Sequence, residues 1–189
     1  KNILIFITAI FVATFIRTFI VQIYYIPSTS MEPTLNISDR ILVVKDKFLN
    51  IDYEIGDVIV FYNPNYEYNK KLFQEFYDSL QIWNLKQEQL TVDTAFVKRI
   101  VGLEGDVIKI DQNGNILNNG INIDIEKLDS NLQTEEIVYV VPDNNIFVIG
   151  DNIKNSIDSR VYGSIDLNQV IGKAYYKIYP LNEIEVLND

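Results

Sequence analysis

The sequence predicts a mainly β domain of antiparallel strands, barrel-like in closure, behind one N-terminal transmembrane helix. Three observations predict it. Ile3 to Ile26 is an apolar run with a single internal charge, Arg17. From Asp39 onward, short β-branched and aromatic runs alternate with Gly, Asn, Asp and Pro turn residues, the pattern of short strands joined by tight turns. One stretch, about 69–89, instead has apolar residues at helical spacing, which predicts an amphipathic helix inserted between strands.

Taken in order, Ile3–Ile26 as a helix would measure roughly 36 Å, against a hydrocarbon core of about 30 Å. It ends in the bulky Tyr24-Tyr25-Ile26-Pro27, unlike the small residues at which a signal peptide is cleaved. It also lacks the polar face of a soluble helix. We therefore expect a membrane anchor over residues 1–26 and a single domain over 27–189. Lys1 and Arg17 can reach opposite surfaces, and Phe19, Tyr24 and Tyr25 fall at the outer interface, where aromatic side chains concentrate. The chain opens on Lys1, so we also expect a trimmed N-terminus.

Strands are expected over Arg40–Lys45, Gly56–Tyr62, Ala95–Val101, Val107–Ile110, Glu136–Val141, Asn145–Ile149 and Val170–Tyr179. Asn113-Gly114 and Asn119-Gly120 are hairpin signals, because both dipeptides tolerate positive φ. Within the insertion, Leu72, Phe73, Phe76, Tyr77, Leu80 and Trp83 share one helix face, as a lid or brace on the β domain would.

Composition removes whole classes of chemistry. The chain has no histidine and no cysteine, so Ser-His-Asp triads, Cys-His pairs and His/Cys zinc sites are impossible. Any nucleophilic serine must rely on a lysine, a carboxylate or a terminal amine. A formal net charge of −10 argues against a nucleic-acid partner.

Three polar islands interrupt the β pattern. Pro27-Ser28-Thr29-Ser30-Met31-Glu32-Pro33-Thr34 must be irregular, since its prolines remove backbone donors and fix φ. Ser30 there is either a nucleophile or an ordinary turn serine. Lys98 lies between apolar neighbours on a strand. Facing inward, it would be desolvated and able to stay neutral as a base; facing outward, it is a solvated strand lysine. The third island runs from Gly150 to Arg160.

Together the islands resemble the type I signal peptidases, the bacterial leader peptidases with a serine–lysine dyad. The resemblance rests on Ser30-Met31-Glu32-Pro33-Thr34-Leu35, Asp39-Arg40-Ile41, Val97-Lys98-Arg99-Ile100-Val101-Gly102 with Gly105-Asp106, and Gly150-Asp151-Asn152 with Ser156 and Asp158-Ser159-Arg160, in that order. It implies a signal-peptidase-like fold and a membrane-anchored serine endopeptidase that removes signal peptides after Ala-x-Ala sites. Residue by residue, it implies Ser30 as nucleophile and Lys98 as general base. It implies an oxyanion hole from the Ser28 hydroxyl and the Ser30 N–H, and Ser156 as the group orienting the amine. Arg99, Asp151, Asn152, Asp158 and Arg160 would brace the site. Ile26, Pro27, Met31, Leu35 and Phe96 would line shallow pockets for a substrate strand lying between Tyr24–Ser28 and Ala95–Lys98.

The implied partners are signal peptides of exported preproteins and the lipid bilayer. The implied protein is a monomer with its domain on the extracytoplasmic face, using no metal or organic cofactor. Ile153 departs from the arginine common after Gly-Asp-Asn in that family. A self-cleaving repressor-like peptidase shares the dyad but not the anchor. A catalytically inactive, membrane-tethered β domain that binds exported peptides is the rival from another class.

Overall fold

The protein is described by a computed structural model over residues 2–49, 51–64, 95–112, 114–123 and 136–187. The helix expected over 69–89 lies outside the described residues.

Helix α1 spans Asn2–Phe19, with only Thr14, Thr18 and Phe19 buried. Its mean hydropathy of 2.0 and 18 residues make it long and apolar enough to cross a membrane. At about 1.5 Å per residue it measures roughly 27 Å. The continuous helix to Ile26 is not what forms. Val21–Tyr25 is strand β1, paired antiparallel with β2 (Arg40–Lys45) from Val21↔Val44 to Tyr25↔Arg40. The physical reason is alternation: Ile23 and Tyr25 face out while Tyr24 and Ile26 are buried, a period of two that a helix cannot satisfy. Lys45 closes the junction by donating from Nζ to the Thr18 carbonyl at 2.8 Å, placing a cation on the negative end of the helix dipole.

The remaining strands are β3 (Val58–Tyr62), β4 (Ala95–Gly102), β5 (Val107–Ile110), β6 (Ile116–Asn118), β7 (Ile121–Ile123), β8 (Ile137–Val140) and β9 (Asn145–Ile149). A one-turn helix α2 (Ser159–Tyr162) follows, then β10 (Ile165–Asp166), β11 (Val170–Tyr179) and β12 (Glu185–Val186). The larger sheet has the order β1-β2-β11-β3-β4-β9-β10, with β12 on β11; the smaller is β7-β6-β5-β8. Every pair is antiparallel. The fold is thus the mainly antiparallel β architecture that the turn-punctuated sequence predicts.

Two features of this sheet place the site. First, β1 leads through Ile26 into the serine loop, whose base is tied by Ile26 N–H to the Asp39 carbonyl and by Ser38 N–H to the Ile26 carbonyl, both 2.9 Å. Second, β4 changes its pairing midway. Ala95–Arg99 pair with β3, but pairing with β9 begins only at Arg99. Among the described residues, the Ala95–Lys98 half therefore pairs on one side only, and its other edge lies beside the serine loop.

The sheet closes tightly where β11 crosses β2. A Cβ on Gly172 would stand 2.0 Å from the Val44 carbonyl oxygen, a backbone atom that cannot yield without parting the strands. We expect Gly172→Ala to destabilise the domain by about 1–3 kcal/mol, as overpacked positions do. Thermal unfolding of the detergent-solubilised chain checks this, and an unchanged midpoint would contradict the close approach.

Candidate active site

The serine loop is pinned at both ends by burial. Met31 and Leu35 insert into a core cluster with Ile26, Ile41, Val43, Val58 and Val60. The loop folds back on itself through Leu35 N–H to the Met31 carbonyl at 2.8 Å. Held this way, Ser30 meets β4. Lys98 Nζ donates to Ser30 Oγ at 2.8 Å and to its neighbour's carbonyl, Val97 O, at 2.9 Å. Lys98 is the inward-facing lysine of the two alternatives, only 3 % exposed.

Burial pushes the Lys98 ammonium from the ordinary 10.5 down to about 8. Asp158 and Asp151 pull in the opposite direction, and Arg160 adds to the lowering. Roughly a tenth of the molecules then hold a neutral amine at pH 7, against about three in ten thousand for an ordinary lysine. A neutral amine at hydrogen-bond distance from a hydroxyl can take its proton.

Ser28 Oγ lies 3.4 Å from Ser30 Oγ. Among the described residues, the Ser30 backbone N–H has no hydrogen-bond acceptor. These two groups are donors available to an oxygen developing negative charge beside Ser30.

Two ion pairs brace the site. Arg99 binds Asp151 through Nε–Oδ1 at 2.9 Å and Nη2–Oδ2 at 2.7 Å, and its Nη1 donates to the Gly56 carbonyl at 2.6 Å. Thr34 Oγ1 donates to Asp151 Oδ2 at 2.5 Å, so the serine loop and the lysine strand share one carboxylate. Asn152 acts through its backbone, donating N–H to the Ser30 carbonyl at 3.0 Å. The second pair joins the fully buried Asp158 to Arg160, Nε–Oδ1 2.7 Å and Nη2–Oδ2 2.8 Å. Asp158 Oδ2 also accepts from Gly150 N–H at 3.0 Å, which fastens the loop to the end of β9.

Two sequence expectations require correction. The Ser156 hydroxyl is buried but has no hydrogen bond to Lys98 or to any described residue. It packs against Gly150 instead, where a Cβ would lie 2.2 Å from Ser156 Oγ. The second acceptor for the amine is the Val97 carbonyl. Leu35 does not line the cleft, because the Met31–Leu35 turn directs it into the core, where it is fully buried. Ile26, Pro27, Met31 and Phe96 do line it, with Tyr24, Tyr25, Ser28, Ser30, Val60, Ala95, Val97 and Lys98. The cleft holds about 50 Å³. A single water needs roughly 10–15 Å³ of such space, so the cleft has room for a few waters or one small side chain.

Asp158→Ala should cost about 3–5 kcal/mol, because it strands the Arg160 guanidinium and leaves the Gly150 N–H without its acceptor. Chemical denaturation measures this, and a loss below 1 kcal/mol would show the pair to be dispensable.

The family model for "Signal peptidase, peptidase S26" matches residues 1–179. A probable signal peptidase I-2 of Synechocystis sp. is 35 % identical over 183 residues, covering 97 % of this chain and 74 % of the relative. The signal peptidase I of Leptolyngbya laminosa is 31 % identical over 169 residues, covering 89 % and 74 %. A Staphylococcus aureus relative described as an inactive signal peptidase IA is 27 % identical over 185 residues, covering 97 % and 93 %.

Proposed function

This chain belongs to the signal peptidases of peptidase family S26, and on that premise we propose that it is an active Ser-Lys endopeptidase with Ser30 as nucleophile and Lys98 as general base. Removal of signal peptides from exported preproteins is the activity of its family. The observation that carries the dyad is the 2.8 Å contact between a buried amine and the Ser30 hydroxyl.

Neutral Lys98 takes the Ser30 proton as Oγ attacks the scissile carbonyl. The oxyanion is met by Ser28 Oγ–H and Ser30 N–H, donors of the kind whose individual loss costs about 10²–10³ in rate. Collapse of the adduct breaks the C–N bond, and Lys98 returns the proton to the departing amine. The signal peptide remains as an ester on Ser30. Lys98 then takes a proton from water, which attacks the ester; collapse breaks the C–Oγ bond, and Lys98 returns the proton to Ser30 Oγ, freeing the enzyme and the signal peptide. The Arg99–Asp151 and Asp158–Arg160 pairs position rather than transfer protons. Ser156 supports the wall behind Ser30.

The substrate strand adds to that edge of Ala95–Lys98, opposite Tyr24–Ser28, with main-chain bonds giving affinity. The small cleft then selects alanine-sized side chains, the basis of Ala-x-Ala specificity. We place α1 in the lipid bilayer and the domain on its extracytoplasmic face, acting as a monomer. A cross-strand row of Ile23, Leu42, Tyr176 and Val186 supports the lipid contact: it runs over β1, β2, β11 and β12, and all but the half-buried Leu42 are exposed.

Purified in detergent, the wild type should cleave an Ala-x-Ala preprotein after the second alanine. Ser30→Ala and Lys98→Arg should be at least about 10³-fold slower, since arginine stays protonated. Signal-peptide binding without cleavage by the folded wild type would favour the inactive tethered domain. The rate should fall as pH drops below about 8, because the lowered lysine is neutral only above its pKa. A flat profile from neutral to acid would count against a lysine base.

A further inference from the structure

The lysine strand carries an aromatic side chain whose surroundings the dyad does not explain. The Phe96 ring lies within 5.7 Å of Lys98 Nζ, lines the substrate cleft and meets Phe61 edge-on at 6.0 Å. Its third neighbour is Tyr162, whose ring stacks on it at 6.4 Å with 8° between the planes. Tyr162 ends the one-turn helix that Asp158 begins, and its own N–H bonds the Asp158 carbonyl at 3.2 Å. The Tyr162 hydroxyl is buried with no hydrogen-bond partner among the described residues. An orphaned buried hydroxyl works against stability, so what this side chain offers is its flat ring.

Resting on the dyad reading above, we propose that Tyr162 is a positioning residue for Lys98. It acts through Phe96: by backing that ring it keeps Phe96 against the amine and excludes water from one side of it. Aromatic pairs hold preferred offset geometries, and a Phe ring with only two rotatable bonds swings once its stacking partner is removed. The ionised groups that act on the amine, Asp158, Asp151 and Arg160, all belong to the Gly150–Arg160 loop, and the bond from Tyr162 to that loop is made by its backbone N–H, which a change of ring keeps. Phe96 also forms cleft wall, so one ring couples the shape of the substrate pocket to the dryness of the base.

The test is kcat/KM for an Ala-x-Ala preprotein between about pH 6 and pH 10, using the full detergent-solubilised chain. Wild type and Tyr162→Phe should share one acidic limb, since the hydroxyl has no partner. In Tyr162→Ala, water reaches the amine, and the regained solvation of its charge outweighs the lost weak attraction of the Phe96 face, so the proton is held more tightly. The limb should move up by about one pH unit, with roughly tenfold loss at pH 7 that shrinks toward pH 10. Tyr162→Leu keeps apolar bulk without the flat ring, should shift the same way, and carries the test if the alanine variant does not fold. An unmoved limb with a uniform loss would reduce Tyr162 to a packing residue and overturn the inference. A shift of equal size in Tyr162→Phe would overturn it too. A folded wild type that cleaves nothing would remove the dyad reading and this inference with it.

Discussion

An amine can accept a hydroxyl proton only while it is itself neutral. Keeping Lys98 neutral near Ser30 is the requirement on which the rest of the proposed site depends. A chain without histidine has no side chain whose ordinary pKa lies near neutrality, so the environment must lower that of a lysine. Burial does so here, at a cost: a desolvated amine needs hydrogen-bond partners wherever it can still form them. Ser30 Oγ and the Val97 carbonyl provide two. The carboxylates that would restore the charge, Asp151 and Asp158, are each committed to an arginine.

That commitment explains why the polar loop after β9 carries two separate ion pairs. Arg99 follows Lys98 on β4 and points to the opposite face of the strand, so its pairing with Asp151 draws the 150–160 loop against the strand that bears Lys98. Thr34 joins the same carboxylate from the serine loop, and the Asn152 N–H takes the Ser30 carbonyl. Three distant stretches of chain thus converge through backbone and buried charge. Breaking such pairs is costly because the abandoned partner stays buried.

Much of this was legible in the sequence. Strands and turns were readable from alternation and Gly/Asn/Asp punctuation, and Ser30 and Lys98 from the motifs around them. The anchor boundary was not, because Val21–Tyr25 is apolar in either conformation, and only pairing with Arg40–Lys45 makes it a strand. The roles of Leu35 and Ser156 followed the motif in name but not in orientation: a backbone turn buries the one, and the missing Cβ of Gly150 makes room for the other. The Val97 carbonyl had no sequence signal, since every residue carries one. Tyr162 lay outside the quoted motifs, and its stack on Phe96 joins residues far apart in the chain.

The junction between α1 and β1 has a consequence of scale. Ile20 alone separates the helix from the strand, and its carbonyl and that of Thr18 are both held by Lys45. With α1 in the bilayer as proposed, the strand would leave the lipid surface without slack, and the five residues of β1 would span roughly 17 Å. The serine is carried on a fixed post. A preprotein crossing the same bilayer would offer its scissile bond at a height set by the length of its own apolar segment. Cleavage would therefore be a measurement of depth as well as a reading of side chains: a well-formed Ala-x-Ala held too high or too low would escape.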